Sequence, residues 1–138
     1  LCQGIGEMIT PIASPSRRLY VVVAKNAQKL STAKVYSDFD SSPVEFTGSH
    51  TDVIRALESG NFSLLKDGMC NVFEEGIFSK CPEVSSLRER LSELGAFAAR
   101  MTGAGPTVFG LFEKRHLAER ALSVLRTDRI LSYFAYIL

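Results

Sequence analysis

Residues 19–24 read LYVVVA, an unbroken apolar run with three adjacent valines, closed by Lys25. β-Branched side chains are stiff about χ1 and pack well on a pleated surface. No polar residue alternates through the run, so no face of it is prepared for water. Such a run reads as a central strand with both faces covered.

The remaining segments are read around that strand. Residues 5–12, IGEMITPI, alternate in part and end near Pro11, which predicts a first strand at a sheet edge, because proline cannot donate to a ladder. After the strand at 19–24, Ser31 or Thr32 can cap a short helix through Val35 and Tyr36, with Asp38 and Asp40 at its exit. SSPVEFTGS is a loop. Thr51 and Asp52 open a helix with Val53, Ile54 and Leu57 on one face, ended by Gly60 and Asn61. Leu65, Met69, Val72, Phe73 and Ile77 recur at helical spacing, which predicts one helix over 62–79. Pro82 starts the next helix in its first turn, with Val84, Leu87, Leu91 and Leu94 as its stripe and Gly95 as its stop. Strands are expected at 97–102 and 107–112, a helix over 114–127 with Leu117, Ala121, Leu122 and Leu125 inward, and a last strand in ILSYFAYI. The order is strand, strand, four helices, strand, strand, helix, strand. Its closing section has the pattern of half a ferredoxin-like fold. The expected class is α+β, a mostly antiparallel four-stranded sheet with helices packed on one face.

The 138 residues suit one compact domain, which can bury roughly 68–70% of its unfolded surface without disulfides or metal. A formal net charge of +1 argues against a dedicated nucleic-acid or anionic-membrane surface. No stretch approaches the ~20 consecutive apolar residues of a membrane span. Cys2, Cys70 and Cys81 form no C-x-x-C pair and read as free thiols of a reducing cytoplasm. His50 and His116 have no acidic or cysteine neighbour at ligand spacing, so no metal site is expected from this chain. The N-terminus, LCQGIGEM, does not start with Met and has no signal-peptide pattern, and reads as the start of a piece cut from a longer polypeptide.

One loop asks for a further explanation. In MTGAGPTVFG, residues 101–110, two glycines flank one alanine and a proline precedes the strand. Gly103 and Gly105 accept positive φ at no steric cost, and Pro106 pushes Gly105 out of the helical region. The loop Thr102, Gly103, Ala104, Gly105, Pro106 is therefore tight, stiff and thin, with N–H groups that can face an anion. It is not a Walker loop, which needs G-x-x-x-x-G-K-[ST]. It is not a dinucleotide loop either, since Val108 stands where a third glycine belongs and a strand follows. On physical grounds a plain tight hairpin of about four residues remains open.

MTGAGPTVFGLF resembles the third motif of the GHMP kinases, small-molecule kinases that act on hydroxyl groups. QGIGEMITPI followed by LYVVVAKNAQKLSTAKVYSDFD is similar to the C-terminal half of one branch of that family. The residues that carry this likeness are Gly4, Gly6 and Glu7, then Ser31, Thr32, Val35 and Tyr36. Two positions depart from the pattern: Gln3 stands where Arg is frequent, and Ala104 stands where a hydroxyl residue is commoner.

The resemblance implies transfer of the γ-phosphate of ATP, with Mg²⁺, to a hydroxyl of a cytidine-linked methylerythritol, a step toward isoprenoid precursors. It places the nucleotide loop and the catalytic residues in an N-terminal domain outside these residues. It also implies that ATP and Mg²⁺ are held mainly there, and that this piece is inactive alone. Tyr36 corresponds to an aromatic that stacks on cytosine, Thr32 to a pocket-lining hydroxyl, and residues 102–106 to a loop facing the active site. The implied partners are the small-molecule substrate and the chain's own N-terminal kinase domain, with no nucleic acid and no membrane. The implied location is bacterial cytoplasm or plastid stroma.

Bland roles stand beside these. Tyr36 suits an ordinary amphipathic core position, Thr32 a helix cap, and Glu7 a structural ion pair. Alternative functions are a homoserine, mevalonate or galactose kinase, or a non-catalytic ferredoxin-like ligand-binding module. An RNA-binding module would need basic residues interleaved with aromatics on the strands, and TVFGLF and LYVVVA have none.

Overall fold

The computed structural model describes residues 1–137. In chain order its elements are β1 (Cys2–Gln3), β2 (Met8–Ile9), β3 (Leu19–Lys25), α1 (Thr32–Ser41), α2 (His50–Ser59) and α3 (Phe62–Gly68). Then follow α4 (Glu74–Lys80), α5 (Pro82–Glu93), β4 (Ala98–Met101), β5 (Thr107–Phe112), α6 (Arg115–Thr127) and β6 (Leu131–Ile137).

The valine run is an interior strand, as its sequence requires. The sheet order is β4-β5-β3-β6, and β3 pairs antiparallel with both β5 and β6. Alternate side chains of β3 enter two different cores. Val22 and Ala24 join Val108 and Phe112 under α5 and α6, against Leu91, Ala118, Ala121 and Leu125. Leu19 joins Leu111 and Ala98 on the opposite face, against Ala56 of α2 and Leu65 of α3. The α+β class and the ferredoxin-like β4–β5–α6–β6 section are as expected, with α5 and α6 covering one face. The α2–α3 pair additionally covers part of the other face, leaving Leu131 and Tyr133 of β6 exposed.

Local chemistry explains most element ends. The Ser31 hydroxyl accepts from the Lys34 N–H at 3.4 Å, so Ser31 caps α1 and Thr32 is its first helical residue. Ser49 caps α2 by accepting from the Asp52 N–H at 3.1 Å, and Gly60 closes it at φ 69°. Pro82 opens α5, where its missing N–H would in any case have no intrahelical partner.

Two expectations fail. Residues 5–12 do not form an edge strand of the main sheet. The chain doubles back at Gly4 and Gly6, at φ 67° and 102°, into a separate two-stranded hairpin pairing Cys2 with Ile9 and Gln3 with Met8. Glu7 closes the turn by accepting from the Ile5 N–H at 2.7 Å, and a Cβ on Gly4 would collide with its carboxylate. Among the described residues Glu7 forms no ion pair, so its expected role is replaced by this turn contact.

The helix expected over 62–79 is also two helices. Gly68 packs so closely on α2 that a Cβ there would lie 3.2 Å from Val53 Cγ2, and Met69 then turns extended at φ −80°, ψ 128°. Five helices, not four, therefore lie between β3 and β4.

Candidate functional site

The glycine loop is the turn of the β4–β5 hairpin. The Thr102 N–H donates to the Thr107 carbonyl at 2.9 Å, and the Gly105 N–H donates to the Thr102 carbonyl at 3.0 Å. Within that turn Gly103 has φ 55° and Ala104 keeps negative φ, the sign pattern of a type II′ turn. Gly105 has φ 71°, and the Gly105–Pro106 peptide is cis. The loop is thus a tight hairpin and a thin loop at once. Neither the Gly103 nor the Ala104 N–H has an acceptor among the described residues. Thr102 and Gly103 are exposed, Ala104 and Gly105 half-buried, and Pro106 buried.

The segment between α3 and α4 grips this hairpin along its outer edge. The Asn71 Nδ2 donates to the carbonyls of Met101 at 2.8 Å and Gly103 at 2.9 Å. Glu74 Oε1 accepts from the Met101 N–H at 2.6 Å, and Arg100 Nε donates to the Met69 carbonyl at 3.1 Å. The free edge of β4 is thereby covered by polar partners rather than left open for another strand.

Tyr36 and Thr32 both sit on exposed turns of α1, where only Val35 is buried. Tyr36 is 52% exposed, which removes the ordinary-core reading, and among the described residues its ring neighbour is Phe73, at 4.9 Å and tilted by 59°. Phe39 meets the same Phe73 edge-on at 5.3 Å. The Lys80 ammonium, 2.8 Å from Asp38, ties α4 to α1 and holds the Asp38 carboxyl below its ordinary value, with Lys34 adding to the effect.

Two cavities flank these groups. One of 620 Å³ is lined by Thr102 and Gly103 of the loop together with Asn71, Phe73, Arg100 and His50. The other, of 330 Å³, lies between α1 and α4 beside Phe39, Phe73, Asp38 and Lys80. Neither is lined by Thr32 or Tyr36, so the structure does not gather all the expected residues around one hollow. What joins the two groups is contact. Phe73 lines both cavities and carries Tyr36, and Leu30, two residues before Thr32, lies 3.4 Å from where a Cβ on Gly105 would stand.

Asn71 is the residue that sequence periodicity passed over. It fell inside the expected helix 62–79, yet Asn71 and Glu74 at a three-residue interval before Ile77 and Phe78 are a helix-start signature. Among the described residues no three His, Cys, Asp or Glu side chains converge as metal ligands, and Glu74 is engaged by Met101. Among the described residues no helix is long and apolar enough to cross a membrane.

The chain is 35% identical over 121 residues to the 4-diphosphocytidyl-2-C-methyl-D-erythritol kinase of Alkaliphilus oremlandii, a match covering 88% of this chain and 41% of the relative. It is 40% identical over 129 residues to the enzyme of that name from Geobacillus kaustophilus, covering 91% of this chain and 43% of the relative. A crystal structure of 4-(cytidine 5'-diphospho)-2C-methyl-D-erythritol kinase superposes with a TM-score of 0.80 at 26% identity, over 97% of this chain and 47% of the solved one. The chain thus spans less than half the length of the curated relatives it matches. The family model described as the C-terminal part of the GHMP kinases matches residues 53–129, more than half of the chain, and the chain belongs to the GHMP kinase family.

Proposed function

We propose that these residues form the substrate-side domain of an ATP-dependent kinase that phosphorylates 4-diphosphocytidyl-2-C-methyl-D-erythritol, in the non-mevalonate route to isoprenoid precursors. The observation that carries the reading is the likeness of about nine-tenths of the chain to kinases of that name, at 35% and 40% identity. The site geometry is compatible with it. An exposed aromatic ring braced from behind by Phe73 offers a flat surface to a cytosine, and such stacking contributes roughly 1–3 kcal/mol. The Thr32 hydroxyl, exposed one turn earlier on α1, can bond the same ligand. The N–H groups of Gly103 and Ala104, which have no acceptor among the described residues, suit a phosphate oxygen.

In this reading residues 1–138 are a single domain. The nucleotide-binding and catalytic groups lie in a further N-terminal domain, and the piece alone turns over nothing. ATP supplies the phosphoryl group for an alcohol acceptor. Mg²⁺ would be held with the ATP mainly by that N-terminal domain; among the described residues no three His, Cys, Asp or Glu side chains converge as ligands. This chain's own work is positioning: it orients the base, lines the approach to the reacting hydroxyl and narrows the cleft with a backbone loop. The proposed location is bacterial cytoplasm or plastid stroma.

The test is calorimetric binding of the diphosphocytidyl substrate to the full-length protein, with Tyr36→Ala and Tyr36→Phe. The expectation is affinity weakened by roughly 5- to 150-fold for Tyr36→Ala, and retained for Tyr36→Phe. Unchanged affinity in Tyr36→Ala would remove Tyr36 from the site.

A further inference from the structure

Asn71 stands in the gap between α3 and α4, and all of its carboxamide is engaged by main chain. Two donors go to the carbonyls of Met101 and Gly103, at 2.8 and 2.9 Å, and Oδ1 accepts from the Phe73 N–H at 3.0 Å. The amide cannot be turned over, because its oxygen would then face two carbonyl oxygens. The Thr102 carbonyl is already taken by the Gly105 N–H. Three successive carbonyls, of Met101, Thr102 and Gly103, are therefore tied down, while the N–H groups of Gly103 and Ala104 have no acceptor among the described residues. The same side chain fixes the entry to α4 at Phe73, whose ring stands 4.9 Å from Tyr36. Loop and ring pair are thus anchored to one residue from opposite ends.

We propose that Asn71 is a positioning residue of the site: it presents the glycine loop with its donors outward and keeps it in register with the Tyr36–Phe73 pair. The proposal rests on the reading of α1 and the loop as walls of one substrate site. It assigns Asn71 no contact with substrate. The side chain acts by setting where two other walls stand, and a shift of about 1 Å in such a wall costs on the order of a hundredfold in rate.

The experiment compares Asn71→Ala and Asn71→Asp in the full-length protein. Asn71→Asp keeps the size of the side chain but sets carboxylate oxygen against the two carbonyls. Turnover and KM for the diphosphocytidyl substrate are measured per folded molecule. In parallel, ¹⁵N-glycine spectra are recorded without substrate. The expected result is a fall in kcat of about ten- to a hundredfold in both variants. Asn71→Asp should be at least as impaired as Asn71→Ala, and the Gly103 and Gly105 amide signals should shift. A role in packing alone would leave the isosteric Asn71→Asp the milder variant. That ranking, or wild-type kcat with unshifted glycine signals, would overturn the proposal. The spectra need no substrate. Shifted glycine signals in a protein that phosphorylates some other alcohol would support the positioning role while refuting the substrate assignment.

Discussion

A methyl group added at Gly103 would meet nothing within 4 Å, whereas at Gly105 it would stand 2.6 Å from Met101 Sδ and 3.4 Å from Leu30 Cδ1. The two glycines of the loop therefore have different duties. Gly105 serves the core, and Gly105→Ala should destabilise the protein by about 1–3 kcal/mol in denaturant melts, from a strained φ and a crowded site. Gly103 serves the surface. Asparagine tolerates its left-handed φ, so Gly103→Asn should keep stability within about 1 kcal/mol. The bulk it adds to the thin loop should still cut turnover of the full-length protein severalfold, and unchanged turnover would refute a substrate-facing loop. At this scale the sequence was readable where a residue acts on its neighbours in the chain. The Ser31 cap and the positive φ of Gly105 are local consequences of residue type. Asn71 was not readable as a loop clamp, because its partners Met101 and Gly103 lie 30 and 32 residues away.

Helix α1 is lightly held beside the site. It buries only Val35 and faces α4 across the 330 Å³ cavity, bridged by the Phe73 ring contacts and the Asp38–Lys80 pair. Amide exchange should be faster in α1 than in α5, which buries Val84, Leu87 and Leu91; equal protection would contradict this. The ion pair adds a pH dependence whose sign is fixed. Asp38 has a lowered folded pKa, so its contribution is present above the unfolded value near 3.8 and is lost as pH falls through the lowered one. Asp38→Asn should thus be slightly less stable than wild type at neutral pH, with the gap closing in strong acid and shrinking in high salt. A gap that persists in acid would assign the loss to something other than charge. Helical periodicity found every helix from α2 onward but fused α3 with α4. Met69, Val72 and Phe73 remain partly buried though the chain is extended at Met69 and turns at Val72 and Phe73, so an apolar repeat continues where the helix does not.

Across the whole molecule the sheet was legible because its signals are strong and short-ranged. The valine run demanded an interior strand, and the two glycines with Pro106 demanded a tight turn, for which a hairpin between β4 and β5 was one of the readings left open. The β1–β2 hairpin was not legible, since the partial alternation over 5–12 gave no sign that the chain doubles back at Gly4 and Gly6. The covering of the second sheet face by α2 and α3 depends on contacts between distant segments that no local pattern records. The main core lies where β3, β5, α5 and α6 meet. Leu91→Ala, at a fully buried position there, should cost about 2–5 kcal/mol in thermal or denaturant unfolding. On the function proposed above, this fold forms one wall of a kinase site selective for a cytidine-linked alcohol. The most direct measurement is ATP-dependent phosphorylation by the full-length protein, offered 4-diphosphocytidyl-2-C-methyl-D-erythritol, homoserine, mevalonate and galactose in separate assays. The expected outcome is turnover of the first, sharply reduced by Tyr36→Ala, and none of the others. Efficient phosphorylation of homoserine, mevalonate or galactose, indifferent to Tyr36, would contradict it.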